Sequence, residues 1–141
     1  VRDWLYVEDH VDALLLAACK GEVGRSYYVG GHGERTNKEV VHSICNALDQ
    51  ARPDAAPHAE LITRVTDRPG HDRRYAIDPT RITTELGWAP RHDVAEGLAA
   101  TVAWYLSHQE WCESVRRNAG YDGKRLGVPR LGNNKKAATE L

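Results

Sequence analysis

Residues 67–75, Asp-Arg-Pro-Gly-His-Asp-Arg-Arg-Tyr, place three arginines, two aspartates and a histidine around one Pro-Gly pair. No small core accepts that much charge, so the chain must fold with this segment at a surface and everything else arranged behind it. Proline presets φ at the turn and Gly70 tolerates positive φ, so a sharp reversal is expected that throws Arg68 and His71 toward a common point. Two readings follow. The charges pair locally in a solvated turn, or the arginine forks grip a diphosphate or carboxylate. The flanks favour the second, because residues 62–66 and 75–77 read as strands that would hold the loop rigid.

The other segments fall into a strand and helix alternation. Residues 2–7 are aromatic and aliphatic and read as a strand, and residues 8–20 follow as an amphipathic helix through Val11, Leu14, Leu15 and Ala18. Residues 26–30 read as a second strand. Gly30, Gly31 and Gly33 then lead to Thr36 and Glu39, a capping box that starts a helix carrying Val40, Val41, Ile44, Cys45 and Leu48 inward. Glycines ahead of a helix can cradle phosphate, but this is not the GxGxxG spacing and no acidic residue follows at the usual distance. A tight strand-to-helix turn is the plainer reading. Asn37, in the first helical turn, either faces a ligand or caps its own backbone.

Residues 50–59, with Pro53 and Pro57, read as a linker without chemistry. Asp78 is expected to cap a helix with Pro79 at its first position and Gly87 at its stop. Trp88-Ala89-Pro90 reads as a turn, and Asp93 with Glu96 caps a longer helix bearing Leu98, Val102, Trp104, Tyr105 and Leu106. About four helices are expected in all. Residues 123–141 hold five basic residues, one acid and three glycines, so 122–141 is expected to be a disordered tail.

Composition excludes several function classes. The 141 residues carry a formal net charge of −1, which gives no basic field for nucleic acid. No stretch reaches the roughly 18 to 20 apolar residues of a membrane span, and no signal-peptide pattern opens the chain, so it reads as cytoplasmic with no membrane partner. Cys19, Cys45 and Cys112 lie far apart in segments that read as helical, and reduced thiols are expected. His10, His32, His42, His58, His71, His92 and His108 include no helical pair with a third ligand in view, so no metal site is expected. There is no GxSxG and no convincing Cys-His pair. With no methionine, and Val1 falling inside a strand-like run, a fragment is suspected. What the residues alone support is an anion-binding surface built from Arg2, Asn37, Arg68 and His71, with Arg73 and Arg74 nearby.

Arg2-Asp-Trp-Leu-Tyr-Val-Glu-Asp-His10, Tyr28-Val-Gly-Gly-His32, Thr36-Asn37 and the 67–78 string Asp-Arg-Pro-Gly-His-Asp-Arg-Arg-Tyr-Ala-Ile-Asp closely resemble the dTDP-glucose 4,6-dehydratases. These are extended short-chain dehydrogenase/reductases. Glu85-Leu-Gly-Trp-Ala-Pro90 and Trp104-Tyr-Leu106 continue the resemblance, which covers about residues 1–121. The 67–75 string is specific to this family, whereas related nucleotide-sugar epimerases and decarboxylases share mainly the Arg-Asp-Trp-like strand. Another epimerase, dehydratase or decarboxylase of the superfamily, or a non-catalytic nucleotide-binding module, is the alternative reading.

The resemblance implies an α/β fold: the C-terminal, substrate-binding part of a Rossmann-type extended short-chain dehydrogenase/reductase, without its N-terminal cofactor domain. The strand at 26–30 would join the parallel sheet of that domain, while 2–7 and 61–77 would build a smaller lobe over the sugar nucleotide. By position Arg2, Asn37, Arg68 and His71 match residues that hold the dTDP portion, with the arginines at the diphosphate. NAD is the implied cofactor, and the family uses it to oxidise C4, eliminate water across C5 and C6, and return the hydride to C6. This chain has no NAD-holding glycine motif, no Tyr-x-x-x-Lys and no dehydration acid/base pair, so no catalytic or cofactor-binding residue is assigned to it. It is expected to be inactive alone and to bind dTDP weakly or not at all. The whole enzyme is expected to be a homodimer through helices absent here. The family usually ends in an aromatic-rich segment, and residues 123–141 depart from it.

Overall fold

The computed structural model describes residues 1–67 and 69–120. Within them the order is β1 (Arg2–Asp3), α1 (Val7–Lys20), β2 (Glu34–Arg35), α2 (Asn37–Ala51), α3 (Thr80–Leu86), α4 (Val94–Ser107) and α5 (Gln109–Asn118). Short 3₁₀ turns, Pro53–Ala55 and His58–Leu61, lie between α2 and α3. Contacts group the chain into two units, Val1–Gln109 and Glu110–Leu141. In the second, α5 carries Glu110 in its first turn and Arg116 and Arg117 in its last, matching the helix dipole. The expected tail at 122–141 lies outside the described residues, as does Arg68.

Two local signals carry straight into the first unit. Thr36 Oγ1 accepts from the Glu39 N–H at 3.2 Å while the Glu39 carboxylate accepts from the Thr36 N–H at 2.7 Å, so both halves of the capping box that opens α2 are made. Asp93 and Glu96 do the same for α4. At the end of α3, Gly87 takes φ 71° and returns its N–H to Ile82 and Thr83. The start of α3 shifts by one: Pro79 stands at the cap position, and the Asp78 carboxylate reaches past it to the Thr80 N–H at 3.0 Å.

The strands differ from expectation. Only Arg2–Asp3 of 2–7 is a strand, paired antiparallel with Glu34–Arg35. Trp4 still donates to the Gly33 carbonyl at 3.2 Å, but the chain opposite then turns away and α1 begins, with His10 bonded back to Tyr6. Residues 26–30 keep an alternation, Tyr27 and Val29 packed inward and Tyr28 exposed, but find no ladder partner among the described residues. No strand forms at 62–66 or 75–77. β structure requires a ladder of bonds to a neighbour, and among the described residues none of these runs forms one, the single bond from Tyr75 to the Val1 carbonyl being too little. The 50–59 segment is likewise no bare linker. His58 folds back on α2, its backbone N–H and ring Nδ1 meeting the Asp49 carboxylate at 2.8 and 2.5 Å, and those bonds hold that carboxyl below its usual range.

The core joins Ala13, Ile82 and Trp88, with Leu5, Leu16, Tyr27, Val29 and Leu86 packed around it. Trp88, expected in a turn, is thus a core residue. On the other side of the unit α2 packs on α4, burying Val40 and Cys45. α4 also approaches the start of α1 closely at Gly97, where a Cβ would lie 2.9 Å from that of Tyr6.

Asp9 is the one buried charged side chain among the described residues. It fastens α1 to the loop before α4, accepting the His92 N–H at 3.0 Å and meeting the ring Nδ1 at 3.1 Å, with Arg91 Nε 3.7 Å away. Burial opposes its ionisation, but the bonds from His92 and Arg91 outweigh it and hold the carboxyl below the usual 3.8. A depressed folded value means stability that is present above the unfolded value and lost as pH falls through the folded one. Acid unfolding followed by circular dichroism should therefore steepen below about pH 4. Asp9→Asn should be about 2 kcal/mol less stable at pH 7, with a shallower acid slope. An unchanged slope would remove Asp9 from this role.

Candidate substrate-binding site

The glycine-rich turn before β2 does cradle an anion, and the anion is the chain's own. The Asp3 carboxylate accepts from Gly31 N at 3.1 Å and from Gly33 N at 2.8 Å. A Cβ on Gly31 or Gly33 would come within 2.6 or 2.4 Å of the Trp4 carbonyl oxygen. Backbone N–H groups that would otherwise suit a phosphate are spent on Asp3, which fixes β1 against the turn.

That lock sets the position of Arg2. In the β1–β2 register Arg2 stands opposite Arg35, and Asn37 opens α2 two residues further on, so Arg2 and Asn37 share one end of the pair. Thr36 does the capping, which leaves Asn37, an exposed residue, outside that task.

The 67–75 loop closes onto the same end. Arg2 Nη2 donates to His71 Nε2 at 2.8 Å and to the Asp72 carbonyl at 3.0 Å, and Nη1 donates to the Val1 carbonyl at 2.7 Å. A guanidinium only donates, so His71 Nε2 must accept, and its single proton sits on Nδ1, donated to Asp67 Oδ1 at 2.7 Å. The Tyr75 N–H returns to the Val1 carbonyl at 3.0 Å. Gly70 takes φ 70°, as the turn demands.

Loop rigidity therefore comes from these bonds and from Arg74, not from flanking strands. Arg74 grips the Glu34 carboxylate with two prongs at 2.9 and 2.6 Å, which keeps Glu34 below its ordinary range and raises Arg74 above its own. Local charge pairing accounts for Arg74, which is spent on the fold, while Arg2 and His71 face each other. Of the expected site residues, Arg2 and His71 are in contact, Asn37 is at the same end, and Arg68 lies outside the described residues. Sequence reasoning missed Asp3, Glu34 and Tyr75. The first two give no sequence signal, because their partners are 28 to 40 residues away. Tyr75, an aromatic closing an arginine run, gives a faint one.

Among the described residues no group of three or more His, Cys, Asp and Glu side chains is placed to hold a metal ion, and no helix is long and apolar enough to cross a membrane.

Comparison with known proteins narrows the chemistry. A family model described as GDP-mannose 4,6 dehydratase matches residues 1–101. The dTDP-glucose 4,6-dehydratase of Xanthomonas campestris pv. campestris is 50% identical over 130 residues, 91% of this chain and 37% of that protein. The enzyme of the same name from Salmonella typhimurium is 49% identical over 119 residues, 84% of this chain and 33% of that one. The chain spans about a third of the length of these relatives. A crystal structure of the Bacillus anthracis dTDP-glucose 4,6-dehydratase in complex with NAD superposes with a TM-score of 0.65 at 42% identity, covering 77% of this chain and 32% of that one. The Streptomyces venezuelae enzyme with NAD bound gives 0.67 at 34% identity, with the same coverage.

Proposed function

The chain belongs to the GDP-mannose 4,6-dehydratase family, and from that premise we propose that it is the dTDP-holding part of a dTDP-glucose 4,6-dehydratase. Its α/β fold is that of the extended short-chain dehydrogenase/reductases. The observation that carries the proposal is the contact of Arg2 with His71, which brings an arginine from one end of the chain onto a loop 69 residues away. In the whole enzyme dTDP-glucose is converted to dTDP-4-keto-6-deoxyglucose and water, with NAD carrying the hydride.

The residues described here do not fit NAD. Their one glycine-rich turn into a helix is filled by the Asp3 carboxylate and the Trp4 carbonyl. Their task is to bind and orient. The guanidinium groups of Arg2 and Arg68 neutralise the diphosphate, His71 holds Arg2 beside it, and the Asn37 amide reads a hydroxyl or base edge. The exposed apolar positions of α1, Val7, Val11, Leu14 and Leu15, and the unpaired run at 26–30 suit packing against the part of the enzyme that holds NAD.

A pocket shared between two parts binds poorly from one part alone. Titrated with dTDP, the isotope-labelled 141-residue chain should show NMR shifts confined to Arg2, Asn37 and the 67–75 loop, with Kd on the order of a millimolar. Given dTDP-glucose and NAD, it should form no product. Micromolar binding or turnover would overturn the shared-pocket reading, and shifts scattered away from the loop would overturn the site.

A further inference from the structure

An arginine on a short strand has many rotamers, and gripping a diphosphate depends on holding one of them. The geometry points to Tyr75 as the positioning residue that fixes Arg2, an inference that rests on the reading of Arg2 as the diphosphate cation. The Arg2 Cζ lies 4.4 Å from the centre of the Tyr75 ring, within the reach at which a guanidinium is drawn to an aromatic face. Tyr75 is itself tied at both ends. Its N–H is bonded to the Val1 carbonyl, the same oxygen that accepts from Arg2 Nη1, and its hydroxyl donates to the Asp72 carboxylate, on the residue whose carbonyl accepts from Arg2 Nη2.

The consequence for binding follows from the donor inventory of a guanidinium. Three of its five N–H groups are engaged, and both hydrogens of Nη2 are among them. Each two-pronged edge of the guanidinium includes an Nη2 hydrogen, so with the loop closed Arg2 offers only Nε–H and one Nη1–H, as single donors. A cation limited to single-point contacts owes its aim to whatever sets its plane. Hydrogen bonds to Val1, His71 and Asp72 fix the edge of that plane, and the face of Tyr75 fixes its tilt.

The test compares the full chain with Tyr75→Phe and Tyr75→Leu, each titrated with dTDP and followed at the Arg2 side-chain protons. The aromatic face should displace those protons upfield in the native chain and in the Phe variant, and the displacement should vanish in the Leu variant. Affinity for dTDP should fall about fivefold in Tyr75→Leu, the size of one such stacking contact at a partly open site, and stay within about twofold in Tyr75→Phe. Unmoved Ile82 and Trp88 resonances report that the Leu variant is folded. Should it unfold, the Arg2 displacement in the native chain and the affinity of the Phe variant still decide.

Unshifted Arg2 protons in the native chain, wild-type affinity in Tyr75→Leu, or an equal loss in Tyr75→Phe would each overturn the positioning role. A native chain whose Arg2 protons are displaced but which does not respond to dTDP would overturn the diphosphate reading instead.

Discussion

Transplanted into the Xanthomonas campestris relative in place of the aligned 130 residues, the chain with Arg2→Ala should turn over dTDP-glucose with kcat/KM reduced about 10²-fold from the same chimera with Arg2 intact. Charge-assisted hydrogen bonds contribute about 1.5 to 3 kcal/mol, and losing them costs roughly 10- to 150-fold in transition-state binding. The upper part of that range applies, because truncation also removes the donor that holds His71 and the Asp72 carbonyl, so the loop loses its anchor along with the ligand. Arg2→Lys should recover only part of the loss. An ammonium restores charge but cannot bond His71 and the Asp72 carbonyl from one planar group. A kcat/KM within about twofold of the parent in Arg2→Ala would remove Arg2 from substrate binding.

The largest effect on stability is expected at Gly33. A methyl there would stand 2.4 Å from the Trp4 carbonyl oxygen and 2.6 Å from Val94 Cγ2. The first is backbone and cannot swing away, so β1 must part from the turn, surrendering the Asp3 bonds to Gly31 and Gly33. Gly33→Ala should cost more than about 3 kcal/mol in urea unfolding. Gly24→Ala is the comparison: its φ of +85° is unfriendly to a side chain, as that of Gly33 is not, but nothing lies within 4 Å, so only about 1 kcal/mol of backbone strain is expected. If the two substitutions cost the same, the Asp3 lock is not what holds β1. A failed lock would also misplace Arg2, which is why the fold and the site share this residue.

What was legible in the sequence was local. Thr36 and Glu39 stand three residues apart, as do Asp93 and Glu96, and Gly87 follows Leu86 directly. Each of these signals depends on neighbours in the chain, and each appears in the structure at its predicted helix end or within one residue of it. Strands are less legible, because an apolar run states a preference for extension and says nothing about a partner. Residues 26–30 are extended and alternate in exposure, yet no described strand pairs with them. Asp9 with His92 and Asp49 with His58 give no sequence signal for the same reason, since a structural carboxylate is recognised by what bonds to it.

The site divides in the same way. Gly70 and the charge of the 67–75 loop were plain from composition. One anion-binding surface joining Arg2 to this loop is expected from the residue types and from the family resemblance, but no pattern in one sequence specifies the contact between positions 69 residues apart. Between local pairing and an arginine clamp the residues favour the clamp, but on flanking strands that do not form at 62–66 or 75–77. In the structure Arg74 is paired with Glu34, and Arg2, from the other end of the chain, is bonded to His71.

The most direct test of the central claim is the unmutated chimera, assayed with dTDP-glucose, UDP-glucose and GDP-mannose as separate substrates. Formation of the 4-keto-6-deoxy product from dTDP-glucose is expected at a rate near that of the parent enzyme, with the other two poorly used. A chimera that folds and binds NAD yet prefers UDP-glucose or GDP-mannose, or converts none of the three, would contradict it.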